Sequence, residues 1–223
     1  KQMSLSEADR ILTLYTPDLG KLRALGKGIR RTRSRLGGHL DLLTHSSISL
    51  SIGKNLDVVT EAQTVHSFRS IREDLQRLAS GIYLAELVDG FSVEDSPNTD
   101  VYYLLLNTLK TLANTNNTDL LLRFFELHLL RQSGFAPQLN HCVECLATLE
   151  PADHLFACTR GGILCPQCHP MSNEITLPLS LGAIKVLRFI ERENYESVKK
   201  LQLSRRLLHE VENLLVTCVR YVV

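Results

Sequence analysis

Apolar and polar residues alternate in short runs over residues 1–63, which is the pattern of β-strands. The run RILTLYT leads into PDLG, where Pro17 suits the second position of a turn and Gly20 its exit, and KLRAL follows. This order predicts a β-hairpin. Two further strand-like runs, LDLLTHSSISLSI and LDVVTEAQTV, are separated by the turn signal GKN. Four or five short strands with long loops predict a small barrel, and the OB-fold is the commonest binding barrel of this size.

The spacing of apolar residues becomes helical after residue 64. The first predicted helix ends near Gly90, and its apolar face is formed by Phe68, Ile71, Leu75, Leu78, Ile82 and Ala85. Further helices are predicted over 100–113 and over 118–132 with Gly134 after its end; the second of these is apolar around most of its circumference, which places it at the centre of a bundle. Ser180 and Ser204 are expected to cap two more amphipathic helices that pack on the earlier ones.

The six cysteines include two closely spaced pairs, CVEC at Cys142 and Cys145 and CPQC at Cys165 and Cys168. Their pattern, C-x2-C-x19-C-x2-C, has the spacing of a four-cysteine zinc site. Four thiolates fill every position of a tetrahedral ion, so the predicted Zn²⁺ is structural. The open alternatives are free thiols, disulfides, and substitute ligands, for which the candidates are His141, His154, His169 and Cys158. Cys158 and Cys218 are expected to be small buried apolar residues.

These elements predict an α+β protein with an N-terminal OB-fold β-barrel and a C-terminal α-helical domain that carries an inserted zinc module. The predicted barrel covers residues 1–63, with an incomplete first strand. The predicted helical domain covers 64–140 and 173–223, and the zinc module 141–172. Apolar residues make up 44% of the chain, which is ample for a buried core. We expect a cytoplasmic protein, because no apolar run approaches the roughly 18 residues that span a bilayer and no secretory signal pattern is present.

Charge is distributed unevenly despite a formal net charge of +1. Residues 1–60 carry ten Lys and Arg against five Asp and Glu. No acid interrupts the stretch that contains Lys21, Arg23, Lys27, Arg30, Arg31, Arg33 and Arg35. Such a run is often only a solvated surface, but the absence of counter-charges and the glycines that allow close backbone approach favour binding to a nucleic-acid backbone. Tyr15 is a candidate platform for base stacking.

A second basic cluster contains Lys199, Lys200, Arg205 and Arg206. It could extend the nucleic-acid surface or simply consist of solvated helix ends. Catalytic signatures are missing from the sequence: it contains no HExxH, no nucleophile elbow and no GxGxxG after a strand. We therefore expect a binding protein and not an enzyme.

Four motifs resemble the bacterial recombination mediator family RecO. They are EADRILTLYTPDLGKLRALGKGIRRTRSR, YLAELVDGF, FELHLLRQSGFAPQLNHCVEC and GGILCPQC. They are spread over nearly the whole chain, and their order and spacing are more specific than any one of them. The resemblance implies an OB-fold, a helical domain and a zinc module inserted between its helices.

The resemblance also implies a non-enzymatic activity in DNA repair and recombination. A member of this family binds single- and double-stranded DNA, anneals complementary strands and, with its partner RecR, helps to load the RecA recombinase onto DNA coated by single-strand-binding protein, whose C-terminal tail is a further partner. On this sequence the arginines and lysines at 23–35 would belong to the DNA-binding face and the four cysteines to the zinc module. Some members lack the cysteines, which implies that zinc supports the fold and not the shared activity. A protein–protein adaptor and an RNA-binding OB/zinc protein are the alternatives.

Overall fold

A computed structural model of the chain describes residues 1–168, 170 and 174–223. The chain forms two compact units, residues 1–115 and 116–223. This division does not test the predicted domain boundaries at 63, 140 and 172, which stay a prediction.

The N-terminal unit contains a five-stranded sheet with the order β1-β2-β3-β5-β4. Its strands are β1 (Gln2–Ser4), β2 (Arg10–Thr16), β3 (Gly20–Gly26), β4 (His45–Ser51) and β5 (Asp57–His66). Neighbouring strands are antiparallel except β3 and β5, which run parallel. This is the strand order of an OB-fold, and it confirms the predicted hairpin and the two strands that follow it. In the described part of the chain β1 and β4 remain the two ends of the sheet, so the predicted barrel is open there.

Side chains that alternate along the strands form the core of this sheet. Leu12 of β2, Leu22 and Ala24 of β3, and Val59 of β5 are buried together. Two residues of the long connection between β3 and β4, Ile29 and Leu40, join the same core. The connection is therefore held at two points by apolar side chains, and the polar residues between those points lie outside the core.

The hairpin turn requires the glycine that the sequence provides. Gly20 has a φ of +68°, and a Cβ at that position would lie 2.6 Å from the carbonyl carbon of Ser96. Only glycine meets both the left-handed backbone and the close approach of the segment after the first long helix without strain. The Thr16 hydroxyl also accepts a hydrogen bond from the N–H of Leu19 at 3.1 Å, which closes the turn.

Three helices complete the N-terminal unit: α1 (Arg69–Arg72), α2 (Leu75–Phe91) and α3 (Thr99–Leu112). The predicted single helix after residue 64 is wrong at its start. Asp74 interrupts it and caps α2 by accepting a hydrogen bond from the N–H of Arg77 at 2.9 Å. Leu75, which was predicted on the apolar face, is consequently 83% exposed at the first position of α2. Helix α2 continues through Gly90 to Phe91.

The helices of the C-terminal unit are α4 (Thr118–Gln132), α5 (Leu181–Arg192), α6 (Tyr195–Val198) and α7 (Arg205–Val222). Helix α4 contacts each of the other three, which confirms its predicted central place. Ser180 and Ser204 accept hydrogen bonds from the N–H groups of Ala183 and Leu207, so the two predicted caps are confirmed. A small sheet of order β7-β6-β8 lies between α4 and α5 in the chain; its strands are β6 (His154–Ala157), β7 (Gly162–Leu164) and β8 (Thr176–Leu179).

An ion pair lies inside the C-terminal helical bundle. Arg123 and Glu126 follow each other by three residues on α4 and are 4% and 0% exposed. The Arg123 Nη2 lies 2.9 Å from the Glu126 Oε1, and its Nη1 lies 3.2 Å from the Oε1 of the half-exposed Glu212 on α7. Apolar periodicity places both residues in the bundle centre but gives no sign that they pair.

No helix in the described residues has both the length and the apolar character needed to cross a membrane.

The buried pair generates a stability prediction. Changing Arg123 to Met removes the guanidinium from the buried Glu126 carboxylate, and we expect this to lower the free energy of unfolding by about 3–5 kcal/mol. The double variant Arg123→Met/Glu126→Met leaves no buried charge and should regain most of that loss. Urea unfolding followed by far-UV circular dichroism measures both. Equal stability of the single and double variants would contradict the expectation.

Candidate metal centre and basic loop

The four cysteines of the two CxxC pairs meet at one point of the C-terminal unit. Their Sγ atoms all lie within 4.8 Å of one another, and the Sγ atoms of Cys145 and Cys165 are 3.7 Å apart. A tetrahedral ion with metal–sulfur distances of about 2.3 Å places its sulfur ligands about 3.8 Å apart. The predicted convergence of Cys142, Cys145, Cys165 and Cys168 is confirmed. All six cysteines of the chain are free, so no disulfide forms among them.

Backbone pairing brings the two cysteine pairs together. Strand β7, which leads directly into the second pair, lies beside the chain that precedes and enters the first pair. Gln138 donates its N–H to the Gly161 carbonyl at 2.9 Å, Ile163 donates to the Gln138 carbonyl at 3.1 Å, and Val143 donates to the Ile163 carbonyl at 3.0 Å. Three backbone hydrogen bonds thus fix where each pair starts.

The local electrostatics suit a positive ion. The buried Sγ of Cys142 accepts hydrogen bonds from the N–H groups of Glu144 at 3.5 Å and Cys165 at 3.4 Å. Burial raises the pKa of Cys142, but backbone hydrogen bonds, that from Cys145 foremost, outweigh burial and lower the pKa from 9.0 to about 6. A hydrogen bond with the Cys165 thiol raises the pKa of Cys168 to about 12. A cation among the four sulfurs would allow all of them to ionise together.

Of the substitute ligands considered from the sequence, the three that the structure describes do not join this cluster. His154 is buried, and its Nε2 lies 2.9 Å from the Glu150 carbonyl oxygen. Cys158 is buried away from the four sulfurs, as expected for a small apolar residue, and burial raises its pKa. His141 is exposed and lies outside the cluster. His169 lies outside the described residues.

Five of the seven predicted nucleic-acid-binding residues lie on one loop, residues 27–35, which we call the basic loop. Lys27, Arg30, Arg31, Arg33 and Arg35 are all exposed there. Within residues 1–168, 170 and 174–223 none of the five forms an ion pair. Five cations therefore face solvent within nine residues of chain, and none of them is paired with a carboxylate in the part of the chain that the structure describes.

The other two predicted residues have carboxylate partners. Lys21, on β3, is 18% exposed, and its Nζ lies 3.1 Å from the Asp89 Oδ1 and donates to the Asp89 carbonyl at 2.7 Å. Arg23, two residues along β3, places its Nε 2.9 Å from the Glu94 Oε1. Their positive charges are already balanced by acids in and after α2. Their role in nucleic-acid binding stays a prediction, and the structure favours the basic loop over them.

Tyr15 lies at the far end of the hairpin from the basic loop. It pairs with Lys21 near the turn, whereas the loop follows Gly26, which pairs with Arg10 at the opposite end. The Tyr15 hydroxyl donates to the Asn98 carbonyl at 3.3 Å, and its ring centroid lies 6.4 Å from that of Tyr102 on α3. The half-buried ring thus packs within the N-terminal unit and is poorly placed to stack on a base held by the loop.

The turn between β1 and β2 holds the basic loop in place. The Asp9 carboxylate accepts a hydrogen bond from the Gly28 N–H at 2.7 Å, and the Ala8 carbonyl accepts one from the Arg30 N–H at 3.1 Å. The Ser6 hydroxyl in turn accepts a hydrogen bond from the Asp9 N–H at 3.0 Å, which fixes this short turn. Sequence reasoning missed Asp9; the only local signal is the Ser-x-x-Asp spacing, which is typical of such turns.

The second basic cluster lies at two helix ends: Lys199 and Lys200 follow α6, and Arg205 and Arg206 begin α7. Lys199 is paired with Glu196, while Lys200, Arg205 and Arg206 are exposed and form no ion pair in the residues that the structure describes. Positive charge in the first turn of a helix is opposed by the helix dipole, so these arginines do not stabilise α7. Their contact with nucleic acid stays a prediction.

The chain is similar to known proteins over its whole length. The model for Recombination protein O N terminal matches residues 1–68, and that for Recombination protein O C terminal matches residues 72–223. The chain is 40% identical to the DNA repair protein RecO of Dehalococcoides mccartyi over 100% of its own length and 87% of the relative's. It is 39% identical to the protein of the same name from Roseiflexus sp., over 100% and 78%, and 34% identical to that of Desulforamulus reducens, over 99% and 86%.

The contact between Asp9 and the basic loop predicts a local effect. In the Asp9→Ala variant the Gly28 N–H loses its carboxylate acceptor, and a hydrogen bond to a charged group contributes about 1.5–3 kcal/mol. We expect the amides of Gly28 and Arg30 to exchange with solvent at least about tenfold faster, measured by NMR hydrogen exchange. Glu7→Ala is the matched control because it removes the same charge from an exposed side chain of the same turn. Unchanged protection at Gly28 would contradict the role given to Asp9.

Proposed function

Because the chain belongs to the RecO family of DNA repair proteins, we propose that it is a recombination mediator that binds DNA and anneals complementary single strands. The observation that carries this proposal is the basic loop. Its five exposed cations lack carboxylate partners in the described chain, and a phosphate backbone supplies the missing counter-charge.

Annealing by such a surface requires no covalent chemistry. Two strands repel each other through their phosphates, and cations that contact one phosphate backbone reduce that repulsion. Contacts to phosphate and sugar leave the base edges free to pair with the second strand. Binding is therefore nearly independent of base sequence and decreases steeply as salt concentration rises.

The four-cysteine cluster supports Zn²⁺ as the resident ion. Sulfur ligands at tetrahedral spacing suit this borderline-soft ion, and four of them leave no position for a reactive water. The ion would therefore hold the module together and take no part in a reaction. The chain's own residues fix the geometry: backbone pairing aligns the two pairs, and N–H groups stabilise the Cys142 thiolate.

Family membership supports three protein partners. We infer that the chain acts with RecR, that it contacts the C-terminal tail of single-strand-binding protein, and that together they assist loading of RecA onto coated DNA.

The direct test is a strand-annealing assay on complementary oligonucleotides, with and without single-strand-binding protein, at two salt concentrations. We expect faster annealing with the protein, and a smaller acceleration at the higher salt concentration because counterion release drives the binding. Parallel reactions with RNA of the same sequence test the RNA-binding alternative. A protein that binds no oligonucleotide but associates with acidic proteins would support the adaptor alternative.

The basic loop predicts a change in salt dependence. In the Arg30→Ala/Arg31→Ala variant we expect weaker binding to single-stranded DNA of every sequence. The slope of log affinity against log salt should fall in magnitude by roughly 1.4, about 0.7 for each lost phosphate contact. Arg192→Ala/Arg220→Ala is the matched control, because it removes two exposed arginines from the C-terminal unit. An unchanged slope in the loop variant, or an equal change in the control, would exclude this loop as the site.

We expect metal removal to loosen the metal-binding module without abolishing DNA binding. A chelator should increase proteolysis between residues 141 and 168 while part of the DNA binding remains, because the basic loop belongs to the other compact unit. Cys145→Ser should lose the bound metal, and Cys158→Ala should retain it, with metal content measured by mass spectrometry. Retention of one metal per chain by Cys145→Ser would argue against the four-cysteine site.

A further inference from the structure

Arg160 joins three segments of the metal-binding region. It lies in the turn between β6 and β7, and its guanidinium contacts Glu144 of the first cysteine pair and Glu174, which precedes β8. We propose that Arg160 and Glu144 are positioning residues that preorganise the first cysteine pair for metal binding. This inference rests on the metal site of the proposed function.

The contact with Glu174 anchors the guanidinium. The Arg160 Nε lies 2.9 Å from the Glu174 Oε1 and its Nη2 lies 2.7 Å from the Oε2, so the two groups pair through two parallel hydrogen bonds. The Thr159 hydroxyl donates a further hydrogen bond to the same carboxylate at 2.9 Å. Glu174 is 2% exposed and Arg160 is 17% exposed. A side chain held in this way has little freedom to move.

The Nη1 of the guanidinium contacts the turn between the first two cysteines through Glu144. The Arg160 Nη1 is hydrogen-bonded to the Glu144 Oε2, and Glu144 lies between Cys142 and Cys145. The backbone N–H of Glu144 donates to the Cys142 Sγ at 3.5 Å. An anchored arginine therefore holds, through one side chain, the residue whose N–H points at a ligand sulfur.

The Arg160–Glu144 contact adds a side-chain link to a turn that backbone hydrogen bonds already close. The Leu146 N–H donates to the Cys142 carbonyl at 3.0 Å and the Cys142 N–H donates to the Ala147 carbonyl at 2.9 Å, but neither of these two bonds involves Glu144. Residues that hydrogen-bond to metal ligands or orient them change metal affinity by about 10- to 100-fold when they are replaced. Lysine would not substitute, because a single ammonium cannot make the two parallel bonds to Glu174 and also reach Glu144.

The test separates positioning from general stability. Removing the Arg160 guanidinium leaves a buried carboxylate and could unfold the region, so the sharper variant is Glu144→Ala, which breaks the contact with the cysteine pair and leaves the Arg160–Glu174 pair in place. The matched control is Glu150→Ala, another exposed carboxylate of the same region. Arg160→Lys keeps the charge and loses the planar geometry. The full-length chain is loaded with Zn²⁺ and titrated with a chromophoric chelator, while far-UV circular dichroism monitors folding.

We expect Glu144→Ala and Arg160→Lys to lose Zn²⁺ at chelator concentrations about 10-fold lower than the unmodified chain does, with unchanged circular dichroism and no change in Glu150→Ala. Equal retention in all four proteins would overturn the positioning role and leave the metal site standing. If the unmodified chain itself retains no Zn²⁺, the proposed ion fails, and this inference fails with it.

Discussion

Repulsion among the cations of the basic loop must be offset for this loop of the N-terminal unit to stay compact. Five positive side chains within nine residues disfavour a compact loop unless something holds its backbone. Two kinds of contact do so: Ile29 is buried in the core, and Asp9 and Ala8 accept hydrogen bonds from the loop's N–H groups. Gly28 in addition allows a left-handed backbone, with a φ of +64°. Within the described residues these contacts hold the loop backbone without an ion pair to its five cations, and the Arg30 Nη1 also donates to the Ser6 carbonyl at 3.3 Å.

The C-terminal unit brings together groups that can become negative, and it also does so through hydrogen bonds to the backbone. Four sulfur atoms that can each become negative are brought within a few ångströms by backbone pairing between residues 138–143 and β7. Hydrogen bonds from N–H groups stabilise negative charge at Cys142, and the four sulfurs lie close enough together to hold a metal ion. In both units, hydrogen bonds to the backbone hold close together side chains that can carry charge of the same sign.

Features of this fold that depend on neighbouring residues could be predicted from the sequence. The cysteine spacing, the PDLG turn and the caps Ser180 and Ser204 each depend on a few adjacent positions, and the structure confirms them. Features that the sequence does not show involve partners far apart in the chain or competition between local signals. Lys21 and Arg23 find carboxylates about 70 residues away, which composition cannot show. Leu75 fits the apolar spacing, but the Asp74 cap restarts the helix and turns that side chain outward.

The parallel pairing of β3 with β5 has a consequence for how this protein can vary. Because β4 pairs with β5 at the edge of the sheet and not with β3, residues 27–44 form an excursion whose length does not set the register of any strand pair. Exchanges among the exposed cationic residues there can alter the charge of this unit while the buried Ile29 and Leu40 and the strand pairing stay as they are. Surface charge and thermal robustness in this unit can therefore vary as nearly independent traits.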